Sequence, residues 1–205
     1  GGIWTGDNKS WWSHILLNLK MMPSLNMCGF LYTGADLGGF GADTTRELLL
    51  RFLALGVFTP LMRNHSALGT REQECYQFED MEDFRHVIGV RYRLLPYLYS
   101  EYMKAALNDD MYFKPLAFVY PDDQMAARIE DQLMLGNEIM IAPVYERVEI
   151  PFPDRFLLYE GGASQGPVMG RCRLTDENGS TLCARFHWID YSVFDDGYVG
   201  IAVCY

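Results

Sequence analysis

The sequence predicts an α/β chain, part of a (β/α) barrel or of a doubly wound sheet, followed by a small, mainly β segment. Three observations predict it. A short apolar run, a loop and an amphipathic helix follow one another repeatedly over the first half. Polar or charged side chains stand just after each run: Asp7, then Asp36, then Arg63 and His65. Beyond Leu107 helical periodicity gives way to short apolar runs separated by turn residues. Barrels and doubly wound sheets both carry their working side chains at the carboxyl ends of parallel strands, so the pattern alone leaves the two open.

The elements follow from local signals. Ser10 can cap a helix from Trp11 to about Met22, where Trp12, Ile15, Leu16 and Leu19 recur at helical spacing and Pro23 marks the end. The apolar run Met27 to Tyr32 reads as a buried strand leading into the glycine-rich loop 33–41. Asp43 can cap a second helix that runs to Leu55 and stops at Gly56. Val57 to Met62 reads as a short strand delivering Arg63-Asn64-His65. A polar loop then leads to a long helix, Met81 to Leu107, with Val87, Val90, Leu94, Leu98 and Tyr102 on its apolar side and Pro96 as a kink. Asn108-Asp109-Asp110 is a turn. Phe118 to Tyr120 reads as a strand, Asp122 to Leu133 as a helix and Ile139 to Val144 as a strand, with a further short strand at Phe156 to Tyr159. From Gly161 onward no period is clear.

Composition narrows the function. A net charge of −10 argues against nucleic acid or an anionic membrane as a partner and leaves a neutral ligand open. The five cysteines, Cys28, Cys75, Cys172, Cys183 and Cys204, are odd in number and irregularly spaced. That pattern fits neither a disulfide framework nor a zinc site; buried free thiols in a reducing, cytoplasmic compartment are the expectation. No apolar run is long enough to span a bilayer. No metal or cofactor motif occurs, and the glycine-rich loop lacks both the GK[ST] and the GxGxxG spacing of phosphate binders.

Several residues could carry chemistry. Asp7 follows Gly6, which lets the chain turn tightly, and a wall formed by Trp4 would desolvate its carboxyl and suit it to general acid work. The same Asp-Asn pair also makes Asx-turns and helix caps. Asp36 lies in a loop whose glycines allow a ligand close to the backbone. It could bind a sugar hydroxyl or simply satisfy local amides. Arg63 and His65 can donate to sugar oxygens, and Arg63 can also fix a carboxylate by a bidentate pair. His14 and His86 read as helix-surface residues. Arg85, Arg91, Arg93 and Lys104 read as a solvated helix face paired with nearby acids. No GxSxG supports serine hydrolase chemistry.

Taken in order, Trp4-Thr5-Gly6-Asp7-Asn8, Gly34-Ala35-Asp36-Leu37-Gly38-Gly39-Phe40 and Met62-Arg63-Asn64-His65 resemble glycoside hydrolase family 31. So do Arg91-Tyr92-Arg93-Leu94-Leu95-Pro96-Tyr97-Leu98-Tyr99, like that family's last barrel helix, and Leu135 to Val144, like the start of its following β-domain. The resemblance implies the C-terminal part of a (β/α)8 TIM barrel over residues 1–108, a β-sandwich-like domain beginning over 109–160, and 161–205 unassigned. It implies a retaining α-glucosidase-like activity on oligosaccharides, with Asp7 as acid/base. Trp4 and Phe40 would line the −1 sugar pocket, and Asp36, Arg63 and His65 would hold the sugar and the catalytic carboxylates. No cofactor is implied.

The sequence departs from that family in two places. The carboxylate nucleophile, expected about 5 Å from the acid in a retaining enzyme, belongs to an earlier segment with no counterpart here. The motif-level likeness stops near Glu146. The chain is therefore expected to be a fragment, doubtful as an enzyme in isolation, that associates with itself or with the missing part of the barrel through open sheet edges. A non-catalytic carbohydrate-binding module built on Trp4, Asp36 and His65 is the alternative.

Overall fold

Glycines and apolar side chains in the first 108 residues set short parallel strands against long helices. The computed structural model describes residues 1–146, 170–175 and 181–186. Strand β1 (Ile3–Trp4) runs parallel to β2 (Thr33–Gly34), with Trp4 opposite Gly34. Strand β3 (Asp36–Leu37) runs parallel to β4 (Arg63–Asn64), with Asp36 opposite Arg63. Ala35 alone separates β2 from β3, so residues 33–37 form one middle segment. The Thr5 N–H donates to the Gly34 carbonyl on one edge, and the Leu61 N–H donates to the Thr33 carbonyl on the other. Gly34 is required there, since a Cβ would lie 1.9 Å from the Leu61 carbonyl oxygen.

Helices α1 (Ser13–Met27), α2 (Arg46–Gly56) and α3 (Met81–Asn108) connect and follow these strands, which makes the chain α/β. Ile15, Leu19 and Met22 of α1, Leu49 and Phe52 of α2, and Phe84, Leu94 and Leu98 of α3 share one buried core with Leu37. Each such side chain contributes roughly 1.5–3 kcal/mol of transfer free energy. Core and strands thus hold Asp36, Arg63 and their neighbours at one end of the parallel segments.

Several boundaries differ from the sequence-based expectation. Pro23 does not end α1: the helix continues to Met27 with Pro23 buried inside it. The last turn is held by Asn26, whose amide donates to the Phe30 carbonyl at 3.0 Å and whose oxygen accepts the Phe113 N–H at 2.8 Å. Residues 27–32 are not a strand. Gly29 takes φ +84° and the Phe30 N–H reaches back to the Leu25 carbonyl, a helix-terminating turn that leaves Met27 and Phe30 exposed. Ser10 does not cap α1, because its hydroxyl donates to the Ala42 carbonyl. Thr45, not Asp43, caps α2, its oxygen accepting from the Leu48 N–H; Asp43 accepts the Arg71 N–H. Residues 57–62 turn around the Thr59 hydroxyl, which lies 2.8 Å from the Gly56 carbonyl oxygen.

Arg91 is not on a solvated face either. Its guanidinium donates to the carbonyls of Val57 and Thr59 at 2.9 and 2.8 Å, which binds α3 to the end of α2. Lys104 does pair with an acid, but with Glu101, which is buried.

After α3, β5 (Phe113–Pro115), β6 (Leu133–Leu135) and β7 (Ile139–Ile141) form an antiparallel sheet. Residues 116–119 are a helical turn, α4 (Leu116–Val119), instead of the expected strand. The expected helix 122–133 reduces to a short turn at Ala126–Arg128, set by the Asp123 carboxylate accepting from the Met125 N–H, with Leu133 drawn into β6. Strands β8 (Gly170–Thr175) and β9 (Thr181–Phe186) pair antiparallel within the stretch left unassigned from sequence. The segment expected as a strand at 156–159 lies outside the described residues. Cys28 and Cys75 are free thiols; Cys28 is exposed, contrary to expectation, and burial raises the Cys75 thiol above its ordinary pKa.

Gly34→Ala places a methyl group against the Leu61 carbonyl with no side chain able to yield. It is expected to lower stability by about 1–3 kcal/mol or more, read as a fall in the urea midpoint at unchanged slope.

Candidate active site

The loop after β1 and the loop after β3 are joined by side-chain and main-chain bonds at the carboxyl ends of the strands. Gly6 takes φ +89°, as its place before Asp7 predicts. The next residue but one, Asn8, is buried: its amide donates to the Asp36 carbonyl, and its oxygen accepts the Phe40 N–H, both at 2.9 Å. The Ser10 N–H donates to the Gly41 carbonyl, and the Gly41 N–H to the Asn8 carbonyl. Gly38 and Gly39 both take φ +95°, and a Cβ at Gly39 would meet the Ser10 nitrogen at 2.2 Å, so this contact needs glycine.

Asp36 is the most deeply placed of the six predicted residues, with no exposed surface. Its Oδ1 accepts from Arg63 Nε at 2.6 Å and from Nη2 at 2.5 Å, and its Oδ2 has no hydrogen-bond partner among the described residues. The Arg63 guanidinium also lies over the Trp4 ring, 5.2 Å from its centroid. Trp4 itself is 43% exposed. Phe40 and His65 stack at 5.4 Å between ring centroids, with 33° between planes.

Asp7 is exposed. The expected desolvation of its carboxyl is therefore not met, and Trp4 instead carries the Arg63 guanidinium over its ring. Asp7 and His65 nonetheless both act electrostatically on Asp36. Asp36 is held above the ordinary carboxylate pKa, first because burial penalises its charge; the Arg63 hydrogen bond and the Arg63 and His65 charges oppose this, and Asp7 adds to it. The structure brings Trp4, Arg63 and Asp36 together by contact and stacks Phe40 on His65, while Asp7 is near enough for its charge to be felt at Asp36.

Sequence reading passed over Asn8 and Gln73. The Gln73 side chain is buried, and its Nε2 lies 3.3, 3.2 and 3.2 Å from the carbonyl oxygens of Leu37, Gly39 and His65. Asn8 lies within the Trp4-Thr5-Gly6-Asp7-Asn8 motif, whereas no local signal singles out Gln73. His14, expected as a plain surface residue, accepts the Lys9 N–H at Nδ1 and meets Trp11 edge-on at 5.2 Å, and burial lowers its pKa. A cleft of about 540 Å³ lies elsewhere, between Leu16 and Lys20 of α1 and Met125, Arg128 and Glu130, and none of the six residues lines it. Among the described residues no cluster of His, Cys, Asp or Glu could hold a metal ion, and no helix is long and apolar enough to cross a membrane.

Parallel strands with acidic, basic and aromatic side chains gathered at their carboxyl ends define an α/β chain with a polar, aromatic-lined site. The sequence profile of the glycosyl hydrolases family 31 TIM-barrel domain matches residues 1–101, and that of the family 31 C-terminal domain matches residues 109–191. The chain belongs to glycoside hydrolase family 31. The second match reaches past Glu146, where the motif likeness stops.

Among similar proteins, alpha-glucosidase 2 of Bacillus thermoamyloliquefaciens is 38% identical over 144 residues, covering 69% of this chain and 18% of that protein. Lysosomal alpha-glucosidase of Mus musculus is 37% identical over 147 residues, covering 71% and 15%. The DNJ-bound glucosidase II alpha subunit superposes with a TM-score of 0.67 at 31% identity, covering 72% of this chain and 16% of that one. A soil-metagenome GH31 alpha-xylosidase with xylose gives 0.64 at 28% identity, covering 70% and 25%. The chain thus spans less than a fifth of the length of these curated relatives.

The raised Asp36 pKa makes a signed prediction. The folded state binds this proton more tightly than the unfolded state, so Asp36 lowers stability as pH rises from the ordinary aspartate value through its folded one. Urea midpoints of the chain and of Asp36→Asn, measured across pH 3.5–7, are expected to show the wild-type midpoint falling relative to the variant over that window. A difference independent of pH contradicts the assignment.

Proposed function

We propose that this chain supplies the acid/base part of a retaining α-glucosidase-like site acting on terminal α-linked glucose or a related sugar of an oligosaccharide. The observation that carries it is the Asp36–Arg63 ion pair at the strand ends, within reach of the Asp7 and His65 charges, in a family 31 chain. Residues 1–108 are the C-terminal part of the family's (β/α)8 barrel, and residues 109–160 begin its β-sandwich-like C-terminal domain.

Asp7 protonates the leaving glycosidic oxygen and later deprotonates the attacking water. Its exposure suits both steps, since sugar and water must reach it. Asp36 is unsuited to be the nucleophile: it is fully buried and its Oδ1 is taken by Arg63. Asp36 and Arg63 form the floor of the −1 pocket. Trp4, Phe40 and His65 border it with apolar faces and an imidazole donor, and hydrogen bonds from such groups strengthen as oxocarbenium character develops. The nucleophile comes from a barrel portion without a counterpart here, in keeping with the small share of its relatives' length that this chain spans. The oligosaccharide is the ligand, and that barrel portion is the partner. No cofactor enters the chemistry.

The test is complementation. The chain, co-expressed with a Bacillus alpha-glucosidase 2 lacking the matching segment, is expected to hydrolyse maltose. Asp7→Asn should slow that reaction by about 10²–10⁴-fold, the range of a lost general acid. Azide should restore turnover of an activated glucoside, because it needs no base. The chain alone should not turn over maltose. Enzyme-like hydrolysis by the purified chain, lost in Asp7→Asn, would overturn the missing-nucleophile claim. Sugar binding by the chain with no turnover in any complemented form favours a carbohydrate-binding module instead.

A further inference from the structure

The loop between β4 and α3 carries a side chain that the proposed chemistry does not use. Gln73 is 2% exposed, and its amide nitrogen faces carbonyls of three separate places: Leu37 in β3, Gly39 in the glycine turn, and His65 just after β4. Two N–H groups serve these three acceptors, so one is shared. The Gln73 main-chain carbonyl accepts the Asn64 side-chain amide at 2.9 Å, while the buried side-chain Oε1 has no hydrogen-bond partner among the described residues. A Cβ at Gly38 would lie 3.1 Å from the Gln73 nitrogen, so the amide fits against a turn left open by glycine.

The three acceptors belong to the backbone that carries the site. Leu37 follows Asp36, Gly39 precedes Phe40, and the third carbonyl is that of His65 itself. Phe40 and His65 meet through their rings. Stacking of this kind is worth about 0.5–1.5 kcal/mol, too little to fix two loop backbones by itself. The Ala67 N–H donates to the Phe40 carbonyl at 2.8 Å, which adds one main-chain tie between the same loops. The Gln73 amide is the side chain that ties both at once.

We propose that Gln73 is a positioning residue for His65, holding the glycine turn and the end of β4 so that the imidazole lies against Phe40 beside Asp36. Its relevance to sugar binding rests on the function proposed above; the positioning itself does not. Asn8 does the corresponding work for the Asp7 loop, so two buried amides set the two sides of the site against Asp36.

The test reads geometry in the chain itself, independently of turnover. In chain labelled at His and Phe, a nuclear Overhauser contact is expected between the Phe40 ring and the His65 imidazole. In Gln73→Met, which keeps shape and loses the donors, that contact should disappear while the Trp11–His14 contact persists. In the unsubstituted chain the Gln73 side-chain amide protons should exchange slowly with solvent. An unchanged Phe40–His65 contact in Gln73→Met overturns the proposal. Loss of the Trp11–His14 contact together with the Phe40–His65 contact indicates general unfolding, and exchange of the Gln73 amide in the unsubstituted chain then decides. If the variant does not fold, fast exchange of the Gln73 amide in the unsubstituted chain overturns it as well, and slow exchange supports it. Failure of the catalytic reading would appear separately, as absent turnover with these contacts intact.

Discussion

A carboxylate with no contact to solvent needs a cation, and the Asp36–Arg63 pair is where this chain meets that need. The parallel register puts the two residues opposite each other across β3 and β4. Removing Arg63 leaves the buried Asp36 carboxylate uncompensated, at a cost of at most about 3–5 kcal/mol, since Arg63 itself is 35% exposed. That is a large share of a typical domain's 5–15 kcal/mol. Burial pushes Asp36 toward its neutral form while Arg63 holds it charged, so the pair is balanced against its surroundings. From it the rest of the site can be traced: Trp4 through the Arg63 face, Phe40 through Asn8 on the Asp36 carbonyl, and His65 through Phe40.

The strands that carry the pair are too short to fix it alone. Each spans two residues, so few ladder bonds hold the register. Helix packing and loop cross-links supply the rest. Arg91 binds α3 to the carbonyls after α2, and the Tyr112 hydroxyl donates to the Phe58 carbonyl at 2.8 Å from the following segment. Tyr97 ties α3 onward to the antiparallel sheet, its hydroxyl donating to the Leu135 carbonyl and accepting the Glu138 N–H. Burial raises the pKa of both phenols far above the physiological range, so both hydroxyls keep their protons there.

Much of this was legible in the sequence, for identifiable reasons. Motif order pointed to the family and to six candidate residues, because a turn glycine, a strand-end carboxylate and an Arg-Asn-His triplet leave local marks. The α2 and α3 spans were readable from their apolar period, although Thr45 and not Asp43 caps α2. Failures arose where a tertiary contact outweighed a local signal. Pro23 reads as a helix end, yet the buried Asn26 keeps the last turn formed. Residues 27–32 read as a strand because they are apolar, while Gly29, which ends the helix there, was overlooked. Arg91 reads as solvated, because nothing in sequence shows that the carbonyls of 57–60 would lie beside it. Gln73 was invisible for the same reason: its partners lie 8 to 36 positions away.

The central claim is that the Asp36–Arg63 pair organises a sugar site at the strand ends. Chemical-shift mapping of the chain on addition of glucose tests it most directly. The account predicts that resonances of Trp4, Phe40, Arg63 and His65 shift together and that Asp36→Asn abolishes the response. Shifts centred instead on the cleft beside Arg128, or a response unchanged in Asp36→Asn, would contradict it.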